Sequence, residues 1–532
     1  MANELYESGR VNYAYPNWIR KRFKRATPND TFFLNQWHLN NTGQSGGAPG
    51  EDVNIVSVWD TYRGSADEVI AVVDDGLEIT HEDLEANVNQ VVNWDFASVP
   101  QDSDPSPVRP DDNHGTNVAG VAAGVGFNGL GISGAAPNAG LVGLRLLGLS
   151  QSDAKEAKAL SHERDVIDIY SNSWGPDDGG SVLDGPGPAT EDALEKGAAD
   201  GRGKLGNIYV WAAGNGGSSD NSNYDGYANS RYTIAVSAST NTGDEPSYAE
   251  KGANILVNAP SSGGTLGITT TDRTGGEGSD SSNYYHDFGG TSAAAPLVSG
   301  IIALMLEANP SLTWRDVQHI LMVTAEKNDP SDPDWTTNGA GFHVNPKFGF
   351  GRVNAQAAVA AADLKFPSDG YASPAAGPVQ GDSTPALAIP DNNIVGVSDT
   401  ITIPDDILVE FVEIFFTSNH PRWGDLEITL TSPAGTESVL GEKHDNTEEN
   451  VVVYSNWRFG SVRHFGESSQ GDWTLTVKDL RSGITGVFES WTLEIYGFTE
   501  RLPWVERFAP GDGGGGGGGG GGCFISTLDS IR

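Results

Sequence analysis

The sequence predicts an α/β domain built on a largely parallel sheet, followed by an all-β domain of the sandwich or jelly-roll type. From about residue 26 to residue 360, short apolar runs alternate with segments of helical periodicity, which is typical of parallel sheets covered by helices. From residue 384, alternating polar and apolar runs are separated by Ser-Pro-Ala-Gly and Ser-Gly turns, which is typical of antiparallel strands. A chain of 532 residues is long enough for both cores.

Five apolar runs and four periodic segments predict the elements of the first domain. Strands are expected at 69–73, 141–144, 167–170, 208–211 and 232–236. Helices are expected at 114–124, 189–199, 292–308 and 313–325, and the last begins with a capping-box pattern. A segment rich in Pro, Gly, Ser and Asp (363–383) predicts a linker, so we expect domains at 26–362 and 384–500.

The composition is strongly acidic. The 71 Asp and Glu residues outnumber the 32 Lys and Arg residues, which gives a net charge of −39. This balance argues against nucleic acid and anionic membranes as partners, and it suits cationic substrates and calcium. A solubilising surface also explains much of the charge. The single cysteine, Cys523, excludes an intrachain disulfide, and the first residues lack the pattern of a signal peptide.

Three segments together predict a serine nucleophile with its base and its orienting acid. Ser292 follows two glycines and enters a helix, so its hydroxyl lies at the positive end of that helix. Asp74 ends an apolar strand, and His114 starts a helix of small residues. Each segment alone also fits a turn, a cap or an ordinary helix start. Their combination, in the chain order Asp, His, Ser, favours a catalytic set.

This order, together with several flanking motifs, resembles the subtilase superfamily, and most closely its kexin/furin branch of proprotein convertases. The resemblance covers about residues 26–500 and includes Ser-Asn-Ser-Trp-Gly-Pro at 171–176 and Trp-Ala-Ala-Gly-Asn-Gly-Gly at 211–217. It implies a subtilisin-like catalytic domain, a serine endopeptidase activity and a C-terminal P domain that supports the catalytic domain. The residues that it implies for catalysis are Asp74, His114, Ser292 and, in the oxyanion hole, Asn215.

The same resemblance implies cleavage after paired basic residues, Lys-Arg or Arg-Arg. Acidic residues match the positions that bind the basic side chains of the substrate. These are Asp178 and Asp225 for the residue before the cut, Asp75 and Asp111 for the preceding one, and Glu156 and Asp184 for the fourth. Two other functions stay open: a broad-specificity degradative subtilase whose acids serve mainly calcium, and an inactive scaffold whose P domain binds a partner.

Calcium is the cofactor that the resemblance implies, at three sites. The first site matches Asp30, Asp83 and Asn128, with carbonyls near Val125, Leu130 and Ile132. The second matches Asp178, Asp220 and Glu250 beneath the pocket for arginine. The third matches Asp95, Asp102 and Asp104, in a loop that also fits a solvated run of charge.

The two ends of the chain carry separate predictions. Residues 1–25 end in Arg-Phe-Lys-Arg, so we expect the remnant of a pro-segment with autocleavage after Arg25, and its shortness favours a truncated start. Residues 501–532 include ten consecutive glycines (513–522) and Cys-Phe-Ile-Ser-Thr, which resembles the ends of some bacterial secreted proteins but also fits a disordered end with a stray thiol. We therefore expect a secreted or cell-surface monomer, bacterial by the resemblance of its tail, with membrane contact restricted to that tail. Its expected partners are peptide or protein substrates and its own pro-segment.

Overall fold

A seven-stranded parallel sheet forms the centre of the first domain. The computed structural model describes residues 27–148, 151–364, 375–444 and 453–499, so the predictions at Arg25 and in the polyglycine tail lie outside the described residues. The sheet has the order β2-β3-β1-β4-β5-β6-β7, and every neighbouring pair is parallel. Its strands are β1 (Val69–Asp74), β2 (Trp94–Asp95), β3 (Gly140–Arg145), β4 (Ile169–Asn172), β5 (Ile208–Ala212), β6 (Thr233–Ser239) and β7 (Ile255–Pro260).

Helices cover the sheet. Strands such as β1 and β3 are therefore buried along their whole length. The helices are α1 (His114–Ala123), α2 (Asp153–Leu160), α3 (Pro188–Lys204), α4 (Thr291–Ala308), α5 (Trp314–Thr324) and α6 (Ala355–Asp363). Two short antiparallel ribbons are formed by β8 (Ile268–Thr271) with β9 (Tyr284–Phe288), and by β10 (Thr336–Thr337) with β11 (His343–Val344). This arrangement confirms the predicted α/β class.

Helix α4 is the central helix of the first domain. Among the described residues it is the one helix that is long and apolar enough to cross a membrane, and 83% of it is buried inside the protein. Small residues at its start and larger apolar residues farther along pack against the sheet and against α1. Its length and composition are therefore explained by its place in the core.

The second domain consists of two antiparallel sheets, as predicted. One sheet has the order β12-β20-β15-β18 with β13 paired to β20, and the other has the order β14-β19-β16-β17. Alternate residues of β19, including Trp473, Leu475 and Val477, face the core between the sheets. The strands are β12 (Ala375–Ser383), β13 (Leu387–Ile389), β14 (Val397–Ile403), β15 (Leu408–Ser418), β16 (Leu426–Thr431), β17 (Glu437–Gly441), β18 (Trp457–Ser461), β19 (Gly471–Asp479) and β20 (Gly486–Phe498).

The two domains share buried contacts. Tyr224 of the first domain belongs to the apolar core of the second, whereas Phe411 and Phe465 of the second belong to the core around α4. A buried ion pair crosses the same interface, because the Arg315 guanidinium of α5 contacts the Glu410 carboxylate of β15. The second domain is therefore packed directly against the first domain.

Candidate active site

The end of β1 places Asp74 against the start of α1. Asp74 is the last residue of β1 and is fully buried, and its carboxylate oxygens lie 2.9 and 3.0 Å from Nδ1 of His114, the first residue of α1. The carboxyl edge of a parallel sheet collects functional groups in this way. A carboxylate in this position favours the tautomer with the proton on Nδ1, which would leave Nε2 as the acceptor nitrogen.

The charge of Asp74 also sets the protonation of His114. Burial lowers the pKa of the imidazole, but the charge and the hydrogen bond of Asp74, helped by the charge of Asp75, outweigh burial and raise that pKa to about 9. The His114 ring packs at 5.5 Å, edge to face, on Phe288, which ends β9 just before the glycines that lead to Ser292. This contact brings the segment of His114 beside the segment that leads to Ser292.

Asp75 caps helix α1 rather than facing open solvent. Its carboxylate accepts hydrogen bonds from the backbone N–H of His114 at 3.1 Å and from that of Gly115 at 2.8 Å. Burial and the neighbouring charge of Asp74 raise its pKa to about 7. The expected role of Asp75 against a basic substrate residue therefore competes with this capping role, which the sequence analysis missed.

Ser292 lies in the first turn of α4. Gly290, the residue before the helix, has a φ of 73°, a left-handed conformation that glycine adopts without strain. The Ser292 hydroxyl donates to the carbonyl of Ser173 at 3.4 Å, and the Ser173 hydroxyl donates to the carbonyl of Ser292 at 3.0 Å. Ser173 directly follows β4, so the nucleophile lies at the same sheet edge as Asp74.

Asn215 lies just after β5, and its side chain contacts the start of α4. Its Oδ1 accepts hydrogen bonds from the backbone N–H of Thr291 at 2.8 Å and from the Thr291 hydroxyl at 3.1 Å. The opposite end of the amide, Nδ2, lies 3.5 Å from the Asp178 carboxylate. The amide is thus held beside the start of α4, with its donor end turned away from the helix and toward Asp178.

An acidic pocket opens beside Asn215. Five carboxylates lie among its lining residues. The lining residues are Pro176, Asp177, Asp178, Val182, Gly214, Asp220, Asn221, Tyr224, Asp225 and Glu250.

Asp225 is held against the wall of this pocket. Its Oδ1 accepts hydrogen bonds from the backbone N–H of Tyr227 at 2.6 Å and of Ala228 at 3.2 Å. Its Oδ2 lies so close to Gly175 that a Cβ there would approach it to 2.7 Å. Burial, with the charges of Asp178 and Asp220, raises the pKa of Asp225 to about 8. A positively charged ligand would relieve this unfavourable charge.

Asp220 and Glu250 form the deeper acidic part of the pocket. Asp220 accepts a hydrogen bond from the backbone N–H of Gly180 at 2.8 Å, and Glu250 accepts one from that of Gly216 at 2.8 Å. Burial and the charge of Asp178 raise the pKa of Asp220 to about 6, and burial and the charge of Asp220 raise that of Glu250 well above its usual value. These carboxylates therefore repel one another unless a cation joins them.

The acidic residues predicted to bind substrate residues farther from the cut lie in different environments. Glu156 is buried and accepts a hydrogen bond from the Tyr227 hydroxyl at 2.7 Å. Asp184 is exposed and pairs by a short parallel bridge with Asp225. Asp111 has a side chain that is 76% exposed and lies 3.6 Å from Arg109. Of these three, Asp184 and Asp111 are accessible to a substrate, whereas Glu156 is engaged by a protein group.

At the first predicted calcium site, the loop that contains Asn128 is hydrogen-bonded to the carboxylates of Asp30 and Asp83. Asp30 accepts hydrogen bonds from the backbone N–H groups of Phe127, Asn128 and Gly129 at 2.8–3.2 Å. Asp83 accepts them from the Asn128 amide at 2.7 Å and from the backbone of Ile132 at 2.8 Å. The residues named for this site are therefore neighbours, and burial, with the charge of Asp30, raises the pKa of Asp83 to about 6.

At the third predicted calcium site, an arginine already neutralises one of the three acidic residues. Asp95 is buried and pairs with Arg145 at 3.1 Å, whereas Asp102 and Asp104 are exposed. Because Arg145 also pairs with the buried Asp112 at 3.1 Å, this guanidinium links the loop to the start of α1. In the part of the chain that the structure describes, no three His, Cys, Asp or Glu side chains lie close enough to hold a metal by themselves. Calcium would thus need amide and carbonyl oxygens as well.

Comparisons with known proteins agree with this architecture. The subtilase family model matches residues 65–351, and the model of the proprotein convertase P-domain matches residues 409–495. The PC3-like endoprotease variant B of Hydra vulgaris is 41% identical over 490 residues, which cover 88% of this chain and 66% of that protein. Neuroendocrine convertase 2 of Homo sapiens is 36% identical over 496 residues, which cover 90% of this chain and 75% of that protein.

A solved structure is similar over both domains. The crystal structure of the serine protease of Aeromonas sobria matches with a TM-score of 0.81 and 26% identity, covering 90% of this chain and 99% of that one. The chain spans just under two thirds of the Hydra endoprotease. Since the first family model covers more than half of the chain, the chain belongs to the subtilase family of serine endopeptidases, with a proprotein convertase P-domain behind its protease domain.

Proposed function

We propose that the chain is a calcium-dependent serine endopeptidase that cuts proteins after paired basic residues. The observation that carries this proposal is the acidic pocket beside Asn215, where Asp178 and Asp225 lie next to the segment of the nucleophile. A buried carboxylate left without a cation is costly, so such a pocket favours arginine and rejects neutral side chains. The similarity to endoproteases named convertases supports the same specificity.

In the proposed reaction, His114 accepts the proton of the Ser292 hydroxyl as the oxygen attacks the scissile carbonyl. Asp74 keeps the imidazole in the productive tautomer and stabilises its charged form. The Asn215 amide and the backbone N–H of Ser292 donate to the oxyanion as negative charge develops. His114 then protonates the leaving amine, and water hydrolyses the acyl-enzyme by the reverse proton transfers.

The structure favours different acids for different substrate residues. We propose Asp178 and Asp225 for the residue before the cut, and Asp111 with Asp75 for the preceding one. Asp184 is proposed for the residue four before the cut, because it is exposed and adjacent to Asp225. Glu156 would take part only by releasing the Tyr227 hydroxyl, so its contribution is proposed to be indirect.

Calcium is proposed at two of the three predicted sites. The loop carrying Asn128, gathered on Asp30 and Asp83, offers several oxygens within a short stretch, and the mutually repelling Asp220 and Glu250 leave negative charge without a cation. When bound, the ion would supply positive charge that holds these carboxylates together. Asp95 is left out of the proposal because Arg145 already neutralises it.

Processing and location follow from the same specificity. We propose that the enzyme cuts its own chain after Arg25, because Arg-Phe-Lys-Arg carries basic residues at the last, second-last and fourth-last positions. We also propose that it acts outside the cytoplasm, on peptide or protein substrates and on its own pro-segment. The Aeromonas sobria protease has been solved in complex with a chaperone, which is a separate partner of that protein.

A broad-specificity degradative subtilase is the second candidate. The capping role of Asp75 and the burial of Glu156 favour it, because both acids are already occupied by protein groups. Mapping the cut sites in an unfolded protein by mass spectrometry separates the two functions. The first function predicts cuts confined to bonds after Lys-Arg and Arg-Arg, and cuts after Leu or Phe would contradict it. Ser292→Ala protein, treated identically, shows which cuts come from this active site.

A further inference from the structure

We propose that the P domain shapes the primary specificity pocket, with His444 and Tyr224 as its positioning residues. This inference rests on the proposed function, because it concerns the pocket that would bind arginine. Both residues lie where the second domain meets the pocket wall: Tyr224 lines the pocket itself, and the ring of His444 lies 5.1 Å from the ring of Tyr224.

His444 connects the P domain to one acidic wall. Its Nε2 lies 2.9 Å from the carbonyl of Gly180, and the backbone N–H of Gly180 donates to the Asp220 carboxylate at 2.8 Å. Gly180 follows Asp178 by two residues, so the same peptide segment carries one pocket acid and binds another. Gly180 has a φ of 61°, and a Cβ there would lie 1.9 Å from the carbonyl oxygen of Ser219, so this segment has little room to move.

His444 is itself fixed within the P domain. Its ring packs on Trp423 with 4.4 Å between the ring centroids, its backbone N–H donates to the carbonyl of Gly424 at 3.0 Å, and its carbonyl accepts from Arg481 at 3.2 Å. His444 is 5% exposed. Its Nδ1 also lies 3.0 Å from the carbonyl of Glu442, so a neutral ring donates to only one of the two carbonyls. With the proton on Nε2, the hydrogen bond from this constrained ring fixes the position of Gly180.

Tyr224 connects the P domain to the opposite wall. Its hydroxyl donates to the carbonyl of Glu442 and accepts from the backbone N–H of the same residue, both at 3.0 Å. Tyr224 is 3% exposed and packs edge to face on Trp423 at 4.7 Å. It directly precedes Asp225, so its anchoring in the P domain restrains the carboxylate that faces the substrate.

Two further contacts from the P domain hold the segment that carries Asp225. The Trp457 indole donates to the carbonyl of Asn223 at 3.0 Å, and the Arg458 guanidinium donates to the carbonyl of Gly226 at 2.6 Å. The residues on both sides of Asp225 are therefore bound by the P domain. The spacing between Asp178 and Asp225, on which bidentate recognition of a guanidinium depends, is thus set partly by the second domain.

The test is the preference for arginine in variants of the full chain. The kcat/KM values for two peptides that differ only in having Arg or Leu before the cut are measured with calcium for wild type, His444→Ala, His444→Gln and Tyr224→Phe. Because small displacements in a binding site cost much of its discrimination, we expect His444→Ala to lower the Arg/Leu ratio about tenfold, through a higher KM for the Arg peptide. His444→Gln retains a donor and should restore most of the ratio, and Tyr224→Phe should lower it less.

Asn338→Ala is the matched control. Asn338 also donates across the domain interface to backbone carbonyls, those of Arg463 and Phe465 at 3.0 and 2.9 Å, but it does not line the pocket. We expect it to lower the melting temperature without changing the Arg/Leu ratio. An equal fall of the ratio in this control, or an unchanged ratio in folded His444→Ala, would overturn the inference alone. A wild type that prefers Leu would overturn the proposed function and the inference with it.

Discussion

The Oδ1 atom of Asn215 accepts a hydrogen bond from the backbone N–H of Thr291 at 2.8 Å, which fixes the amide beside the residue that precedes the nucleophile. Two segments 76 residues apart are thereby locked together, one following β5 and the other beginning α4. Because Oδ1 is occupied, the amide cannot rotate freely. Its Nδ2 lies 3.5 Å from the Asp178 carboxylate, so at most one of its two N–H groups is left for a developing oxyanion. Such a donor costs no reorganisation at the moment of reaction.

Replacing Asn215 with Ala should therefore reduce kcat while leaving KM nearly unchanged. Loss of one oxyanion donor typically lowers kcat by about 10²–10³. Steady-state kinetics on an Arg-Arg peptide measure the change, with Ser292→Ala as the background. A loss expressed only in KM would show that Asn215 binds the ground state instead.

The rate should depend on the protonation of His114. Only the neutral imidazole accepts a proton, and the pKa of His114 is raised to about 9, so kcat/KM should rise with pH until about pH 9. The charge of Asp75 contributes to this raised pKa. Asp75→Asn removes that charge and should move the acid limb of the pH profile to lower pH. A limb that is unchanged in a folded Asp75→Asn variant would contradict the electrostatic role of Asp75.

Asp225 should carry more of the preference for arginine than its accessible neighbour Asp184. Removing one partner of a buried ion pair costs about 3–5 kcal/mol, so Asp225→Asn should lower kcat/KM for the Arg peptide by a factor of about 10² to 4 × 10³. Asp184→Asn is the matched control, because it removes the same charge from an exposed position on the adjoining chain segment. Equal losses in the two variants would mean that general negative charge, and not the pocket, attracts the substrate.

Calcium should stabilise the fold by binding at the loop whose residues Asn128 and Ile132 are hydrogen-bonded to Asp83. A ligand present at 100 times its dissociation constant stabilises the native state by about 2.7 kcal/mol. The melting temperature should therefore fall on chelation and recover when calcium, but not magnesium, is restored. Asp83→Ala should abolish most of the calcium-dependent shift. A melting temperature that is indifferent to calcium in the wild type would contradict both proposed sites.

The ion pair between Arg315 and Glu410 should stabilise the two domains as a unit. Both side chains are nearly inaccessible, with exposures of 8% and 4%. The charge and hydrogen bonds of its partners, which include His319, hold the pKa of Glu410 below its usual range despite burial. Glu410→Gln should destabilise the protein by about 3–5 kcal/mol, measured by denaturant unfolding. Glu427→Gln, at a partly exposed pair with Lys478 within the P domain, should cost less, about 1 kcal/mol.

Much of the fold could be predicted because its signals are local. The apolar run of β1 and the long apolar stretch of α4 are visible in the sequence, and the capping box of α5 has both of its hydrogen bonds. Helix α2 was not predicted, because its eight residues are mostly charged or small and give only a weak apolar face. Strand β4 begins at Ile169, two residues later than predicted, although the backbone of Asp168 still bonds to Val69 and Ile208 of the neighbouring strands.

The environments of the acids could not be predicted, since they depend on partners distant in sequence. The Tyr227 hydroxyl that binds Glu156 is 71 residues away, and the guanidinium that pairs with Asp95 is 50 residues away. Charge patterning shows that acids are present but not whether each faces solvent, a backbone donor or a cation. The contacts of His444 with the pocket wall span 264 residues and two domains, so no local pattern could indicate them.

The proposed cleavage after paired basic residues is tested most directly on the wild-type chain. The kcat/KM values are compared for two peptides with Lys-Arg and Lys-Leu before the cut, with calcium present and Ser292→Ala as the blank. The account predicts a preference for the Lys-Arg peptide of at least about 10², because the Leu side chain leaves buried carboxylates unpaired. Equal hydrolysis of the two peptides would contradict it and identify a protease of broad specificity.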